Sequence, residues 1–220
     1  NCSVDDTVTV SANAAATEGS SVWLAEGEML KLVDLLYALM LESGNDAAVA
    51  IAEHISGSEG AFAALMNETC KMAGANSTNC VTASGLDDEN HYTTARDLAL
   101  IARYAMQNED FKKIVSTQNY KIPWKGKGWD RSLKNHNKLL ASYPGANGIK
   151  TGYTKKSGRC LVSSAEKDGF GAIVVTLSDP NDWEDHKKLL DLAFSEYKST
   201  KCVFEKGETL GTIEVAGSRE

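Results

Sequence analysis

Positive charge and long apolar runs are both in short supply in this sequence, and each shortage argues against a class of protein. Lysine and arginine total 23 against 30 aspartates and glutamates, which gives a formal net charge of −7. A nucleic-acid-binding protein normally carries a basic face, so this class of partner is disfavoured. No apolar run approaches the roughly 20 residues that a membrane-spanning helix needs, so we expect no membrane anchor within this chain.

The sequence also lacks cysteine and histidine pairs with the spacing of metal ligands. The sequence has five cysteines and four histidines but no Cys-x-x-Cys or His-x-x-x-His pair, so we expect no metal site and no cofactor. Cys70 falls on the apolar face of a predicted helix and Cys160 in an apolar strand, which favours free, buried thiols. A disulfide between Cys70 and Cys80 is the alternative that the sequence leaves open.

The apolar residues that are present follow two different periodicities. Up to about residue 116 they recur at helical spacing, and Thr94 and Asp97 have the spacing of a capping box at one helix start. Short apolar runs at residues 158–164 and 169–177 then predict a β-hairpin with its turn at 165–168, followed by a helix at 183–197. The chain is therefore expected to combine a helical region with an antiparallel sheet.

Two short motifs lie at the boundaries of these elements. Ser43-Gly44-Asn45 separates two apolar helical stretches, and Lys150-Thr151-Gly152 enters a strand that precedes the hairpin. Either motif alone is weak, because serine and asparagine are common at helix starts and Lys-Thr-Gly can be an ordinary strand end. Their order and placement together are more specific.

With these motifs, the sequence resembles the low-molecular-mass penicillin-binding proteins, the D-alanyl-D-alanine carboxypeptidases. The resemblance extends to residues 84–97 and 135–140, continues around the second motif through residues 148–160, and includes residues 187–190. The resemblance implies a mixed α/β (α+β) fold of the β-lactamase and transpeptidase type: a three-layer α-β-α sandwich with an antiparallel sheet, plus a helical subdomain. It also implies a peptidase domain at residues 1–200 and the start of a C-terminal β domain at 201–220.

The same resemblance assigns the site residues. Ser43 would pass a proton to the departing D-alanine amine, Asn45 would hold the substrate amide, and Lys150 would bind the terminal carboxylate by charge. Around Lys150, Thr151 would add a hydroxyl hydrogen bond and Gly152 would let the substrate lie close to the strand edge. The backbone N–H of Tyr153 would donate to the oxyanion.

The family's third motif, Ser-x-x-Lys, supplies the nucleophile and has no credible copy here. Ser164 with Lys167 and Ser195 with Lys198 match by spacing, but neither serine is expected at a helix N-terminus, where an anionic nucleophile would be stabilised. We therefore expect a chain truncated at its N-terminal side, without the nucleophile and inactive on its own.

For the parent protein, the resemblance implies a serine hydrolase outside the cytoplasm, in the bacterial cell envelope or secreted. It would remove the terminal D-alanine from peptidoglycan stem peptides through an acyl-enzyme and would bind β-lactams. Two alternatives stay open. A serine β-lactamase is weakened by the lack of a Glu-x-x-x-Asn segment, and a non-catalytic peptidoglycan- or partner-binding fragment is consistent with the missing nucleophile.

Overall fold

Helices dominate the first half of the molecule, and the principal sheet follows them. The structure is a computed structural model that describes residues 2–197. The helices are α1 (Ala12–Ala15), α2 (Leu32–Glu42), α3 (Asn45–Ser56), α4 (Glu59–Met72), α5 (Ala95–Ala105), α6 (Glu109–Ser116), α7 (Leu139–Ser142) and α8 (Asp182–Glu196). The strands are β1 (Thr7–Thr9), β2 (Met29–Lys31), β3 (Asn119–Ile122), β4 (Arg131–Lys134), β5 (Ala146–Thr154), β6 (Gly158–Lys167) and β7 (Phe170–Thr176).

The principal sheet is antiparallel, with strand order β5-β6-β7. Its β6–β7 hairpin turns at Asp168 and Gly169, whose φ angles are 53° and 75°. Both are positive, as a two-residue hairpin turn requires, and Asp-Gly is a favoured pair for it. The hairpin predicted from the sequence is therefore present, but its turn lies later than the predicted 165–168 because β6 continues to Lys167.

Helices cover both faces of this sheet. On one face, Leu190 of α8 packs against Ala165 and Val174. On the opposite face, Ala102 of α5 and Val115 of α6 pack with Ile149. Adjacent strand residues point to opposite faces, so the short apolar strands can bury side chains in both directions. The three-layer α-β-α arrangement implied by the resemblance is confirmed.

The largest apolar cluster lies in the helical region. It is formed by α2 and α3 together with the two small ladders β1–β2 and β3–β4. The first eight residues of α3, Asn45 to Ala52, are all buried. Their four alanines allow neighbouring elements to approach closely from several sides. The start of α3, which follows the α2–α3 junction, is thus buried in this core.

The start of α5 agrees with the predicted capping box only in part. Thr94 caps α5 as predicted, its Oγ1 accepting from Asp97 N at 3.1 Å. The Asp97 carboxylate, however, does not complete a capping box. It accepts from Ser77 N at 2.6 Å and from Thr78 Oγ1 at 2.8 Å, and so holds the loop that follows α4.

The cysteines in residues 2–197 are all free thiols. Cys70 is buried and Cys160 is only partly so. Burial and the neighbouring Cys70 thiol raise the pKa of Cys80 to about 11. Cys202 and the β domain expected at 201–220 lie outside the described residues. Across the described part of the chain, no helix has both the length and the apolarity needed to cross a membrane.

Candidate active site

Ser43 has an unusual backbone conformation. It is the C-cap residue of α2, with φ 59° and ψ 37°, in the left-handed region that glycine normally occupies at this position. A residue with a β-carbon loses about 1–2 kcal/mol in this conformation. Helix termination alone would favour glycine at this position. The presence of serine is therefore explained by its hydroxyl side chain and not by the backbone conformation.

Lys150 reaches Ser43 from β5 in the sheet. Its Nζ donates a hydrogen bond to Ser43 Oγ and a second one to the carbonyl oxygen of Thr151 at 2.9 Å. Burial lowers the pKa of Lys150 to about 8, so the ammonium remains mostly protonated at neutral pH. None of the ion pairs formed within residues 2–197 includes Lys150. A positive charge is therefore available to an anionic ligand beside a hydroxyl group.

Asn45 begins α3 and anchors the segment before Trp23. Its backbone N–H donates to Ser20 O at 2.7 Å, and its side-chain Nδ2 donates to Glu18 O at 2.8 Å. A β-carbon at Gly19 would come within 2.5 Å of that Nδ2, so only glycine fits there. The described contacts of Asn45 are thus with the protein backbone, and its predicted contact with a substrate amide remains a proposal.

Asp46 is a site residue that the sequence analysis did not single out. Its carboxylate is buried and accepts from Ser21 Oγ at 2.7 Å and from the backbone N–H groups of Val22 and Leu24, each at 3.1 Å. These bonds fix the segment 21–24 beside the α2–α3 junction. The available sequence signal was an aspartate in the first turn of a helix, which by itself indicates only a favourable interaction with the helix dipole.

The rest of the Lys-Thr-Gly motif lies along an edge of the sheet. Within the described sheet β5 pairs with β6 alone, so its other edge is free for main-chain hydrogen bonds to an extended ligand. A β-carbon at Gly152 would meet only Cys160, at 3.8 Å, so internal crowding does not explain this glycine. The Tyr153 side chain is 71% exposed. The edge thus has room for a ligand backbone at Thr151, Gly152 and Tyr153.

Other segments that shared the sequence resemblance support this edge. Thr154 Oγ1 donates to Asp87 Oδ1 at 2.9 Å, which links the loop before α5 to the end of β5. Asn137 Nδ2 donates to Gly148 O at 2.8 Å and is buried. Gly148 lies two residues before Lys150, so both contacts help to set the position of the motif strand.

The two serines with accidental Ser-x-x-Lys spacing lie in other environments. Ser164 is buried within β6, and its Oγ donates to Asn147 Oδ1 at 2.7 Å. Ser195 lies in the last turn of α8, and its Oγ donates to Leu192 O at 2.9 Å. Neither serine begins a helix, so the structure agrees with their exclusion as nucleophiles.

A buried serine–histidine pair has the residue types of a catalytic dyad but lies inside the core. Ser163 Oγ and His186 Nδ1 are 2.6 Å apart, and both residues are 0% exposed. The other ring nitrogen of His186 lies 3.1 Å from Thr176 Oγ1. Burial lowers the pKa of His186 to about 4, so the ring stays neutral near pH 7. With both nitrogens occupied and no access to solvent, the pair is structural.

Solved structures with this architecture include two enzymes of one class. The chain superposes on the Streptomyces K15 DD-transpeptidase with a TM-score of 0.81 and 32% identity, over 89% of this chain and 81% of that one. It superposes on a D-alanyl-D-alanine carboxypeptidase from Mycobacterium tuberculosis with a TM-score of 0.82 and 31% identity, over 88% and 75% of the two chains. The fold is therefore that of the DD-peptidases.

Sequence comparison defines the family within this class. The family model described as D-alanyl-D-alanine carboxypeptidase matches residues 1–181. The D-alanyl-D-alanine carboxypeptidase DacF of Bacillus subtilis is 35% identical over 222 residues, which cover 99% of this chain and 56% of that protein. The chain belongs to the D-alanyl-D-alanine carboxypeptidase family. It spans about half the length of the curated relatives it matches, such as DacF.

Proposed function

We propose that these residues form the substrate-binding and proton-transfer part of a serine-type D-Ala-D-Ala carboxypeptidase. The parent protein would remove the terminal D-alanine from peptidoglycan stem peptides through an acyl-enzyme, and β-lactams would bind as mimics of that peptide end. The observation that carries this proposal is the contact between Lys150 Nζ and Ser43 Oγ. It combines a fixed positive charge with a hydroxyl group beside an open strand edge.

The roles of the two side chains follow from their chemistry. The Lys150 ammonium attracts the carboxylate at the end of the peptide, and the Thr151 hydroxyl adds a hydrogen bond to it. Ser43 Oγ accepts a hydrogen bond from Lys150 and therefore keeps its own proton to donate. We assign that proton to the amine of the departing D-alanine, which must be protonated to leave.

The strand edge supplies the remaining contacts. The backbone N–H of Tyr153 would donate to the oxyanion of the tetrahedral intermediate, and Gly152 would allow the peptide to lie close to β5. Asn45 would hold the substrate amide with its side-chain oxygen, since its nitrogen is bonded to Glu18 O. The attacking serine needs an adjacent base. Ser43 faces a mostly protonated Lys150, and Ser21 donates to an Asp46 carboxylate that also holds backbone N–H groups, so we assign the nucleophile to a Ser-x-x-Lys segment that these 220 residues do not contain.

The proposed substrate also indicates in which compartment the reaction takes place. Peptidoglycan lies beyond the cytoplasmic membrane, so we propose that the parent protein acts in the bacterial cell envelope or after secretion. Its partners would be stem peptides that end in D-Ala-D-Ala, together with β-lactams.

D-alanine release by the complete gene product tests this function. Ser43→Ala and Lys150→Ala should each lower kcat/KM by roughly 100-fold or more, the usual effect of removing a proton-transfer or charge-stabilising group. Lys155→Ala, at an exposed lysine in the β5–β6 turn, is the matched control and should retain activity. A wild-type product that binds the peptide without cleaving it would indicate the non-catalytic alternative, and rapid penicillin hydrolysis would indicate a β-lactamase.

A further inference from the structure

Three of the four tryptophans gather on one surface beside the candidate active site. We call Trp23, Trp124, Trp129, Lys127 and Arg131 the tryptophan patch. Lys127 Nζ lies 6.0 Å from the ring centroids of both Trp124 and Trp129, and Arg131 Cζ lies 4.9 Å from that of Trp124. Trp23 is 73% exposed and Trp129 is 65% exposed. Aromatic side chains of this size are usually buried, so two largely exposed indoles among cations need an explanation.

The backbone at Trp23 is held in a costly conformation. Its φ is 61°, in the left-handed region that is rarely occupied by a bulky residue. Two hydrogen bonds hold it there: Trp23 N–H donates to Ser21 Oγ at 2.8 Å, and Arg131 Nη2 donates to Trp23 O at 2.8 Å. Because the indole is mostly exposed, its packing offsets little of the strain energy of the left-handed backbone. Strain of this kind is typical of residues that contact a ligand.

A cavity of about 210 Å³ lies against the patch. Trp23 and Trp124 line it together with three polar residues, Ser21, Glu42 and Ser132. Glu42 directly precedes Ser43, so the cavity adjoins the candidate active site. Arg131 also lines it, is 3% exposed, and has an Nε–H that finds no acceptor among residues 2–197. The cavity therefore combines aromatic walls with several hydrogen-bonding groups, as small-molecule sites do.

We infer that the tryptophan patch binds an N-acetylated sugar ring of the glycan strand that carries the stem peptide. A pyranose has one face of C–H groups, which can stack on an indole, and a rim of hydroxyl and amide groups. The rim can bond to the Ser132 hydroxyl and to the remaining lone pairs of Ser21 and Glu42, which also bond to Asp46, Trp23, Lys134 and His136. Lys127 is an exposed cation in a chain of net charge −7, which suits a polymer that carries peptide carboxylates, whereas the Arg131 guanidinium is already paired with Glu28 at 2.7 Å. This inference rests on the proposed function, since it extends the substrate from the peptide to its sugar.

The probe is a peptide-free oligomer of N-acetylglucosamine, titrated into the 220-residue chain and followed by tryptophan fluorescence and calorimetry. Binding should be saturable. Trp23→Ala and Trp129→Ala should each weaken it by up to roughly tenfold, the effect expected from losing one aromatic contact. Trp183→Phe is the matched control, because Trp183 lies over Lys138 and Arg159, outside the patch, and it should leave the affinity unchanged.

Trp23→Gly separates a ligand-binding role from a structural one. Glycine adopts φ 61° without strain, so this variant should have a Tm at or above that of the parent chain while losing sugar affinity. A lower Tm with unchanged affinity would show that the indole serves the fold. Far-UV circular dichroism and the Tm verify that each variant is folded.

Other outcomes would overturn the inference. Parental affinity in the Trp23→Ala, Trp129→Ala double variant, or no binding by the parent chain, would show that the patch is not a sugar site. Equal quenching by a sugar-free D-Ala-D-Ala peptide would assign the patch to the peptide instead. Because the probe contains no peptide, sugar binding can persist when carboxypeptidase activity is absent, and can fail when that activity is present.

Discussion

Lys150 Nζ of β5 donates a hydrogen bond to Ser43 Oγ at the end of α2, across a sequence separation of 107 residues. This contact joins the helical region to the sheet at the point where the proposed substrate carboxylate and leaving amine would lie. Both residues lower the stability of the folded chain, Ser43 through its left-handed backbone and Lys150 through its buried charge. Neighbouring residues that each lower the stability of the fold are characteristic of functional sites.

The strain at Ser43 predicts a difference between two variants that both lack the hydroxyl group. Ser43→Gly should be more stable than Ser43→Ala by about 1 kcal/mol, because glycine adopts φ 59° without the clash of a β-carbon. Urea unfolding of the 220-residue chain measures this difference. Equal stabilities would mean that the backbone at residue 43 is not left-handed in solution.

The buried charge of Lys150 predicts a gain in stability when it is removed. Its pKa in the folded chain is about 8, below the ordinary 10.5, so the unfolded chain binds the proton more tightly. Stability should therefore rise with pH between about 8 and 10.5, and Lys150→Met should be more stable at pH 7 by roughly 2–3 kcal/mol. Unfolding at pH 7 and pH 10 measures both effects, with Lys155→Met as control. A destabilised Lys150→Met would contradict the buried-charge account.

The same pKa sets the pH dependence of ligand binding. A peptide ending in D-Ala-D-Ala should bind the chain more weakly as pH rises above about 8, since Lys150 then loses the charge that attracts the carboxylate. Calorimetric titrations between pH 6 and 10 measure this trend. Replacing the terminal carboxylate by an amide should weaken binding at low pH and remove the pH dependence. An affinity that is constant across this range would rule out Lys150 as the carboxylate site.

The buried, neutral His186 should make the chain less stable as the pH becomes acidic. Its folded pKa is about 4, below the ordinary 6.5, so the unfolded state gains the proton first as pH falls. The stability that depends on a neutral ring is complete above about 6.5 and is lost progressively toward pH 4, by up to about 3 kcal/mol. His186→Gln should lower stability at pH 7 but flatten the pH dependence in this window. Parallel pH profiles for the two proteins would contradict this assignment.

Two substitutions of Asp46 should destabilise the chain to different extents. Asp46→Ala leaves the N–H groups of Val22 and Leu24 without their acceptor and should cost about 3 kcal/mol, whereas Asp46→Asn keeps one acceptor oxygen and should cost less. Thermal unfolding measures the order of the two variants. The reverse order, or no loss in Asp46→Ala, would show that the segment 21–24 is held by other contacts.

The sequence predicted the longer elements and the placement of the two motifs at the α2–α3 junction and on β5, because these patterns are local. The helices α2 to α5 and the β6–β7 hairpin have clear apolar periodicity. The pairing of β1 with β2 and the β3–β4 ladder were not predicted, since strands of three or four residues carry too little pattern, and β1–β2 pairs Thr7 with Lys31 across a long connection.

The backbone at the α2–α3 junction could not be predicted from residue preferences. Gly44 would be the expected left-handed residue after α2, yet Ser43 takes that conformation and Gly44 is the N-cap of α3, with φ −62°. A β-carbon at Gly44 would come within 2.9 Å of Asp46 Oδ1, and that carboxylate is held in place by the distant N–H groups of Val22 and Leu24. The contacts of Asp46 with the segment 21–24 likewise depend on a fold that no local pattern specifies.

Covalent labelling by penicillin tests the central claim most directly, namely that Ser43 and Lys150 form a penicillin-recognising site whose nucleophile is another serine. Intact-protein and peptide mass spectrometry would be applied to the complete gene product, to its Lys150→Ala variant and to residues 1–220. The account predicts one adduct on a Ser-x-x-Lys serine of the gene product, much slower labelling of Lys150→Ala, and none on the 220-residue chain. A stoichiometric adduct on Ser43, Ser164 or Ser195, or an unlabelled gene product, would contradict it.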